Sequence, residues 1–239
     1  MSYQLRLQSR NESGQDLQHL VFEADQALIE SYTAPGQFLV LEVPDDAGEI
    51  KKGFFAIASP PGGANGSRIE LLIKNAGDPA SRICSAEIGT AFSCGPAQGN
   101  GFPVPARSAD RIHLFSMGSG LAPLRALLLH ELQTNAKKNG DTALSRYCLW
   151  QGSFTRAHLP FADEYEGWEA AGLELHRCLD EDDALSDAVP GNVVERLRDT
   201  APDLRGSAAF WIGSRDFGQA LIETTGELGL PAEALLSNY

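Results

Sequence analysis

The stretch Ile112-His113-Leu114-Phe115-Ser116-Met117-Gly118-Ser119-Gly120-Leu121-Ala122-Pro123-Leu124-Arg125-Ala126-Leu127-Leu128-Leu129-His130-Glu131-Leu132 reads as strand, glycine turn and helix. Its first part is short and mostly apolar, the pattern of a strand buried on both faces. Gly118 and Gly120 can take positive φ and admit a close approach to bare backbone. Pro123 falls in the first helical turn, where a missing N–H leaves no bond unmade. Leu121, Leu124, Leu128 and Leu132 then repeat at helical spacing. A helix N-terminus leaving a glycine turn presents unpaired N–H groups and a positive dipole end, an arrangement that accepts phosphate. The turn is not G-x-G-x-x-G, because Pro123 replaces the third glycine, and a tight connection without any ligand has the same pattern. Nor is it the G-x-S-x-G of a nucleophile elbow: Ser119 lies in a tighter G-S-G, and no paired base supports a hydrolase.

Downstream, strand and helix patterns alternate. Strands are predicted at 112–116, 147–151, 173–178 and 208–212, and helices at 121–135, 161–171, 191–199 and 216–228. This alternation predicts a parallel, doubly wound five-stranded sheet with helices on both faces. Ligands of such sheets bind beyond the strand C-termini, where the strand order reverses, and the Gly118–Gly120 turn marks that point.

Upstream, the first hundred residues read as all-β. Period-two or apolar runs at 3–7, 20–23, 38–43, 54–58 and 69–74 are separated by turn residues such as Pro35-Gly36 and Pro44-Asp45-Asp46. They predict a small antiparallel barrel or sandwich. One helix is predicted over 78–87, with Asp78 as N-cap and Pro79 at its first position; Gly77 before it makes a second candidate phosphate seat. The Gly- and Pro-rich stretch 95–108 holds the expected boundary, giving a barrel domain over 1–106 and an α/β domain over 107–239.

The 239 residues are 43% hydrophobic and carry a net charge of −13. That composition supports full cores and argues against nucleic acid or an anionic membrane as partner. No apolar run is long enough to span a bilayer, and the N-terminus lacks the apolar core of a signal peptide, so the expected location is cytoplasmic. Cys84, Cys94, Cys148 and Cys178 form no C-x-x-C, and the five histidines show no ligand spacing, so no metal is expected.

Taken together, the motifs resemble those of the ferredoxin–NADP reductase superfamily over nearly the whole chain. Pro35-Gly36-Gln37-Phe38 is similar to the family's P-G-Q barrel segment, and Ile57-Ala58-Ser59 to the end of its flavin motif. Gly77-x-x-Ala80 falls where the family has G-x-x-[ST], and Gly89-Thr90 to Gly95-Pro96 resembles its last barrel hairpin. Gly118-Ser119-Gly120-Leu121-Ala122-Pro123 resembles its nicotinamide loop. Trp150-Gln151-Gly152-Ser153, Gly191-Asn192-Val193 and Ile212-Gly213 resemble its later strand-end motifs, and F-A-I-A-S-P-P marks one branch.

The resemblance implies a flavin-dependent oxidoreductase that passes electrons from a nicotinamide dinucleotide through FAD to an unidentified acceptor, a protein or a small molecule. It implies FAD against Phe55, Ala56, Ile57, Ala58, Ser59, Lys74, Gly77, Ala80, Ser81 and the terminal Tyr239, in the cleft of barrel and α/β domain. It implies the dinucleotide against Gly118, Ser119, Gly120, Leu121, Ala122, Pro123, Gly152, Ser153, Asp180 and Gly213. No catalytic side chain is assigned. The family's R-x-Y-[ST] reads Gly53-Phe54-Phe55-Ala56 here, so its phosphate-gripping arginine and two hydroxyls are missing, and Ala80 lacks a third. Loss of one charge-assisted contact weakens FAD by tens-fold. These departures leave open a second reading, a non-enzymatic or subunit-type relative that keeps the fold and a nucleotide site without flavin turnover. Asp180-Glu181 follow the third α/β strand, where the 2′-phosphate of NADPH would be repelled. NADH is therefore the expected cofactor, with NADPH possible through Arg156.

Overall fold

The structure is a computed structural model that describes residues 2–62, 66–103, 109–135, 142–181 and 189–237. Its contacts divide into two compact units, Met1–Gly101 with Ala122–His130, and Phe102–Leu121 with Glu131–Tyr239. The boundary expected at 106–107 and the candidate Tyr239 lie outside the described residues.

The first unit contains β1 (Tyr3–Glu12), β2 (Leu17–Ala24), α1 (Gln26–Ser31), β3 (Phe38–Pro44), β4 (Ile50–Ala56), β5 (Arg68–Lys74), α2 (Ala80–Ser85) and β6 (Ala91–Cys94). Its strands form one antiparallel six-stranded sheet in the order β4-β3-β6-β1-β2-β5. Alternation decides which face is inside: Leu5 and Leu7, Leu20 and Phe22, Leu39 and Leu41, and Ile69, Leu71 and Ile73 build the core. The two edges join just past β4, where Ile57 bridges Leu71 and the Ala58 amide donates to the Glu70 carbonyl at 2.8 Å. This join makes the rolled sheet a barrel.

Three details depart from the sequence reading. α1 is an added helix; at six residues it is too short for a periodic signal, and it is held by burial of Leu28 and Ile29. Asp78 does not cap α2: Pro79 occupies the N-cap position without a side-chain cap bond, and the Asp78 carboxylate pairs with Arg82 instead. The helix therefore runs only over Ala80–Ser85, inside the predicted 78–87.

The second unit contains β7 (Ile112–Met117), α3 (Leu121–Asn135), β8 (Tyr147–Ser153), α4 (Tyr165–Ala170), β9 (Glu174–Leu179), β10 (Val189–Pro190), α5 (Val193–Thr200), β11 (Ala208–Ile212), α6 (Arg215–Glu227) and β12 (Leu235–Leu236), the middle of α3 counting with the first unit. The sheet is parallel in every pair and has six strands where five are expected, in the order β10-β9-β8-β7-β11-β12, because the two-residue strands at its edges are too short for a sequence pattern. The order runs outward from β7 in one direction and then resumes on its other side at β11, which puts the switch point at β7. One 3-10 turn, Gly118–Gly120, stands between β7 and α3. α5 opens on a capping box, Asn192 with Glu195, and α6 on Ser214, which accepts from the Phe217 amide. Phe115, Cys148, Trp150, Cys178, Leu197 and Leu221 belong to the core on one face of this sheet. All four cysteines are free and buried.

Candidate functional site

The barrel segment that the resemblance assigns to flavin is first a structural seam. Ile57 and Ala58 are fully buried. Ser59 Oγ accepts from the Glu70 amide at 3.1 Å, and its carbonyl accepts from the Tyr32 hydroxyl at 2.7 Å. Arg125, buried in α3, donates through Nη1 to the Ala58 carbonyl at 2.9 Å and to Glu70 Oε2 at 2.7 Å. His19 Nε2 is 3.0 Å from the same oxygen. Burial works against the Glu70 charge, but the His19 and Arg125 contacts outweigh it and hold the carboxyl down at about 2. This network is not legible in the sequence, because its members come from β2, β5 and α3.

Gln37 explains the P-G-Q segment in the same terms. Its Oε1 accepts from the Thr33 and Ala34 amides and its Nε2 donates to the Gly99 carbonyl, so it sews a turn to the start of β3.

At the rim, Phe55 pairs across from inward-facing Leu39 and packs on the barrel core. Its ring lies over Gly53: a Cβ on Gly53 would stand 2.5 Å from Phe55 Cε2 and 2.9 Å from Pro79 Cγ. The space where the resemblance would place an arginine is thus filled by two apolar rings. Ala56 and Ala80 are half-buried beside them and bring no hydroxyl. Ser81 is half-buried, and its amide donates to the Gly77 carbonyl at 2.9 Å. Pro79 has no N–H to offer. Gly77 takes φ +71° with open space around it, and Lys74 is exposed at the end of β5. These residues fit a flat, partly apolar ring better than a diphosphate; FAD held in the family's manner does not fit this rim.

In the second unit the glycines divide into two kinds. Gly120 is buried, and a Cβ there would meet the Ile212 carbonyl oxygen at 2.7 Å. Gly152 is similarly closed by Met117 Sδ, and Gly213 by Phe217 Cδ1. Each of the three admits a protein group. Of the four glycines assigned to the dinucleotide, Gly118, at φ +50°, is the one whose added Cβ would have nothing within 4 Å, which leaves its backbone open to an incoming group. Leu121 and Ala122 are buried, and the Leu121 amide donates to the Gly118 and Ser119 carbonyls. Ser153 is buried, with Oγ donating to the His158 carbonyl at 3.3 Å.

Beyond the C-terminal ends of β7 and β9 lies a cavity of about 350 Å³. Met117, Val194 and Phe217 give it an apolar side; Asp180, Asn192, Glu195 and Arg198 give it a polar one. Burial, with Glu195 and Glu181 close by, raises the Asp180 pKa above its ordinary value. Of these residues the sequence singles out only Asp180. The strand-end rule points to this region, while the contributions from α5 and α6 need the fold.

Cys148, Glu174 and His176, near the N-terminal ends of β8 and β9, bring ligand-type atoms within 4.8 Å of one another. Arg111 pairs with Glu174, His176 Nε2 is 2.7 Å from Glu174 Oε1, and the His176 ring stacks on Trp150 at 3.8 Å. Burial pushes the Cys148 thiol up to about 12. A guanidinium and a protonated thiol make this an ion-paired cluster poorly suited to a cation.

No protein-family model matches the sequence, and no curated protein matches it. Solved structures match in fold. The flavohem-like FAD/NAD-binding domain of nitric oxide dioxygenase from Vibrio cholerae O1 biovar El Tor is similar with TM-score 0.81 and 16% identity, over 98% of this chain and 97% of that one. The CS-b5R domains of human Ncb5or, in the NAD+ form, give TM-score 0.81 and 16% identity over 100% of this chain and 70% of that one. A ferredoxin NADP+ reductase from Neisseria gonorrhoeae with bound FAD and NADP gives TM-score 0.77 and 14% identity over 99% and 97%. The chain shares its fold with these structures.

Proposed function

We propose that this chain is a flavin-linked oxidoreductase that takes electrons from NADH. The observation that carries the reading is the cavity of about 350 Å³ at the sheet's switch point, with the open backbone of Gly118 following β7. Its position supports a dinucleotide site, because strand C-termini and a helix start bring backbone donors together there. Its charge supports NADH over NADPH. Asp180 and Glu195 can accept hydrogen bonds from ribose hydroxyls and would repel a 2′-phosphate, while Arg198 is the cavity's one cation among the described residues. A flavin, when bound, accepts a hydride and can release electrons singly. This chain's contribution is orientation: Gly118 admits the phosphates, Met117 and Phe217 offer apolar contact, and Asp180 selects the ribose.

The filled rim over Gly53 favours one second reading, a nucleotide-binding chain without flavin turnover. Titration with NADH and NADPH at low ionic strength tests the first reading. Tighter NADH binding is expected; equal affinity would remove the role of Asp180, and no binding of either would end the proposal. NADH oxidation with added flavin divides the first reading from the second. No helix among the described residues is long and apolar enough to cross a membrane.

A further inference from the structure

We infer that flavin is an exchangeable substrate of this chain, reduced by NADH and released, and is not a resident FAD. The inference rests on the dinucleotide site proposed above. It starts from the rim of the first unit, where the resemblance would lay a pyrophosphate.

Holding FAD permanently depends on its diphosphate, because that group offers strong, charge-assisted hydrogen bonds that the flavin ring lacks. The rim supplies no such grip. Phe55 and Pro79 occupy the space above Gly53, so a longer side chain at this position has no room. The start of α2 has a proline in place of one amide, and the Ser81 amide is already bonded to Gly77. Of the cations described near the rim, Lys74 is exposed at the end of β5, while Lys51 and Arg82 are engaged. Lys51 Nζ lies 3.2 Å from Asp45 and 3.0 Å from Glu49. Arg82 reaches Asp46 at 2.8 Å and Asp78 at 3.1 Å. Asp45, Asp46, Glu49 and Asp78 against Lys51, Lys74 and Arg82 leave this surface net negative, which opposes a diphosphate. The apolar patch of Phe55, Pro79, Ala56 and Ala80 offers contact to the ring system that every flavin shares. Among the described residues, that patch itself carries no charged or hydroxyl side chain to read a phosphate or an adenylate at the far end of the ribityl chain.

The reaction balances with flavin as the acceptor. The C4–H bond of the dihydronicotinamide breaks, and its hydride, carrying two electrons, forms the N5–H bond of the oxidised flavin. Flavin N1 takes one proton from water. NAD+ and the reduced flavin leave, and dioxygen reoxidises the flavin in solution, taking its two electrons and two protons as hydrogen peroxide.

The test measures flavin retained by the purified full chain, then NADH oxidation with riboflavin, FMN and FAD as separate substrates, with NADH binding titrated independently. Little bound flavin and KM values within about threefold of one another are expected, since nothing grips phosphate or adenylate and the exposed surface charge opposes them only weakly. In the double variant Asp46→Asn/Asp78→Asn, KM for FMN and FAD should fall by about threefold at low ionic strength, with neutral riboflavin unchanged. One FAD per chain surviving dialysis, a riboflavin KM about tenfold above that of FAD, or no reduction of any free flavin would overturn the inference. If NADH still binds and reduces a retained FAD, the proposed oxidoreductase stands and only the exchange falls; if NADH does not bind, the function itself falls.

Discussion

Arg125 Nη1 lies 2.7 Å from Glu70 Oε2, and the same oxygen receives His19 Nε2 at 3.0 Å. The Arg125 side chain is 8% exposed and that of Glu70 13%, so water screens this pair little. Its guanidinium also holds the Ala58 carbonyl. The network therefore secures the strand segment that joins the barrel edges. Its polar atoms carry hydrogen bonds as well as charge, the condition under which a buried pair stabilises.

The pH dependence follows from that pair. The Glu70 carboxyl lies at about 2 in the fold against an ordinary 4.5. A depressed carboxyl contributes stability that is complete above 4.5 and is lost as pH falls towards 2. Glu70→Gln is expected to lower stability at pH 7 by about 2–3 kcal/mol. Urea unfolding from about pH 5 to about pH 2 should then show a shallower loss in the variant than in the parent. Parallel curves would remove Glu70 from the account.

Gly120 and Gly118 should respond differently. Gly120→Val drives a side chain into the Ile212 carbonyl and is expected to cost about 3 kcal/mol or more through overpacking, whatever its effect on nucleotide. Gly118→Val meets open space and costs about 1–2 kcal/mol for its left-handed φ, yet should weaken NADH binding by at least about tenfold. Thermal unfolding with NADH titration separates the two. Unchanged NADH affinity in the Gly118 variant would move the phosphates elsewhere.

Asp180 should set the coenzyme preference. Asp180→Asn is expected to narrow the NADH over NADPH ratio by about threefold or more at low ionic strength. Because its pKa is raised, the parent's preference should also narrow on acidification, and at a higher pH than an ordinary carboxylate would give. A ratio unaffected by the substitution and by pH would exclude this carboxylate.

Restoring a side chain at Gly53 should fail. Gly53→Ala places a Cβ 2.5 Å from the Phe55 ring and is expected to cost about 1–3 kcal/mol. Gly53→Ala with Phe55→Leu should recover part of that loss, since the far end of the ring is removed. A stable single variant that binds FAD more tightly would show that the rim can open.

By itself the sequence determined the order of the longer elements, leaving out α1 and the two-residue β10 and β12. Alternation at Tyr3–Leu7 and Phe38–Val43 settles the strands, because a half-buried strand repeats at two. Ile112–Met117, the glycines and the leucines after them settle strand, turn and helix, because each has a distinct period. Only the tertiary structure decided what the glycines are for. Gly120, Gly152 and Gly213 look like ligand seats in one dimension, yet Ile212, Met117 and Phe217 close on them. Those neighbours come from other strands and helices, or from a distant part of the chain, and packing distances are not written in local pattern. The same holds for Arg125, one polar residue in the apolar run Leu121–Leu129, whose partners Ala58 and Glu70 lie 67 and 55 residues away in sequence. Period and turn chemistry act through neighbouring residues; burial, charge pairing and crowding act through space.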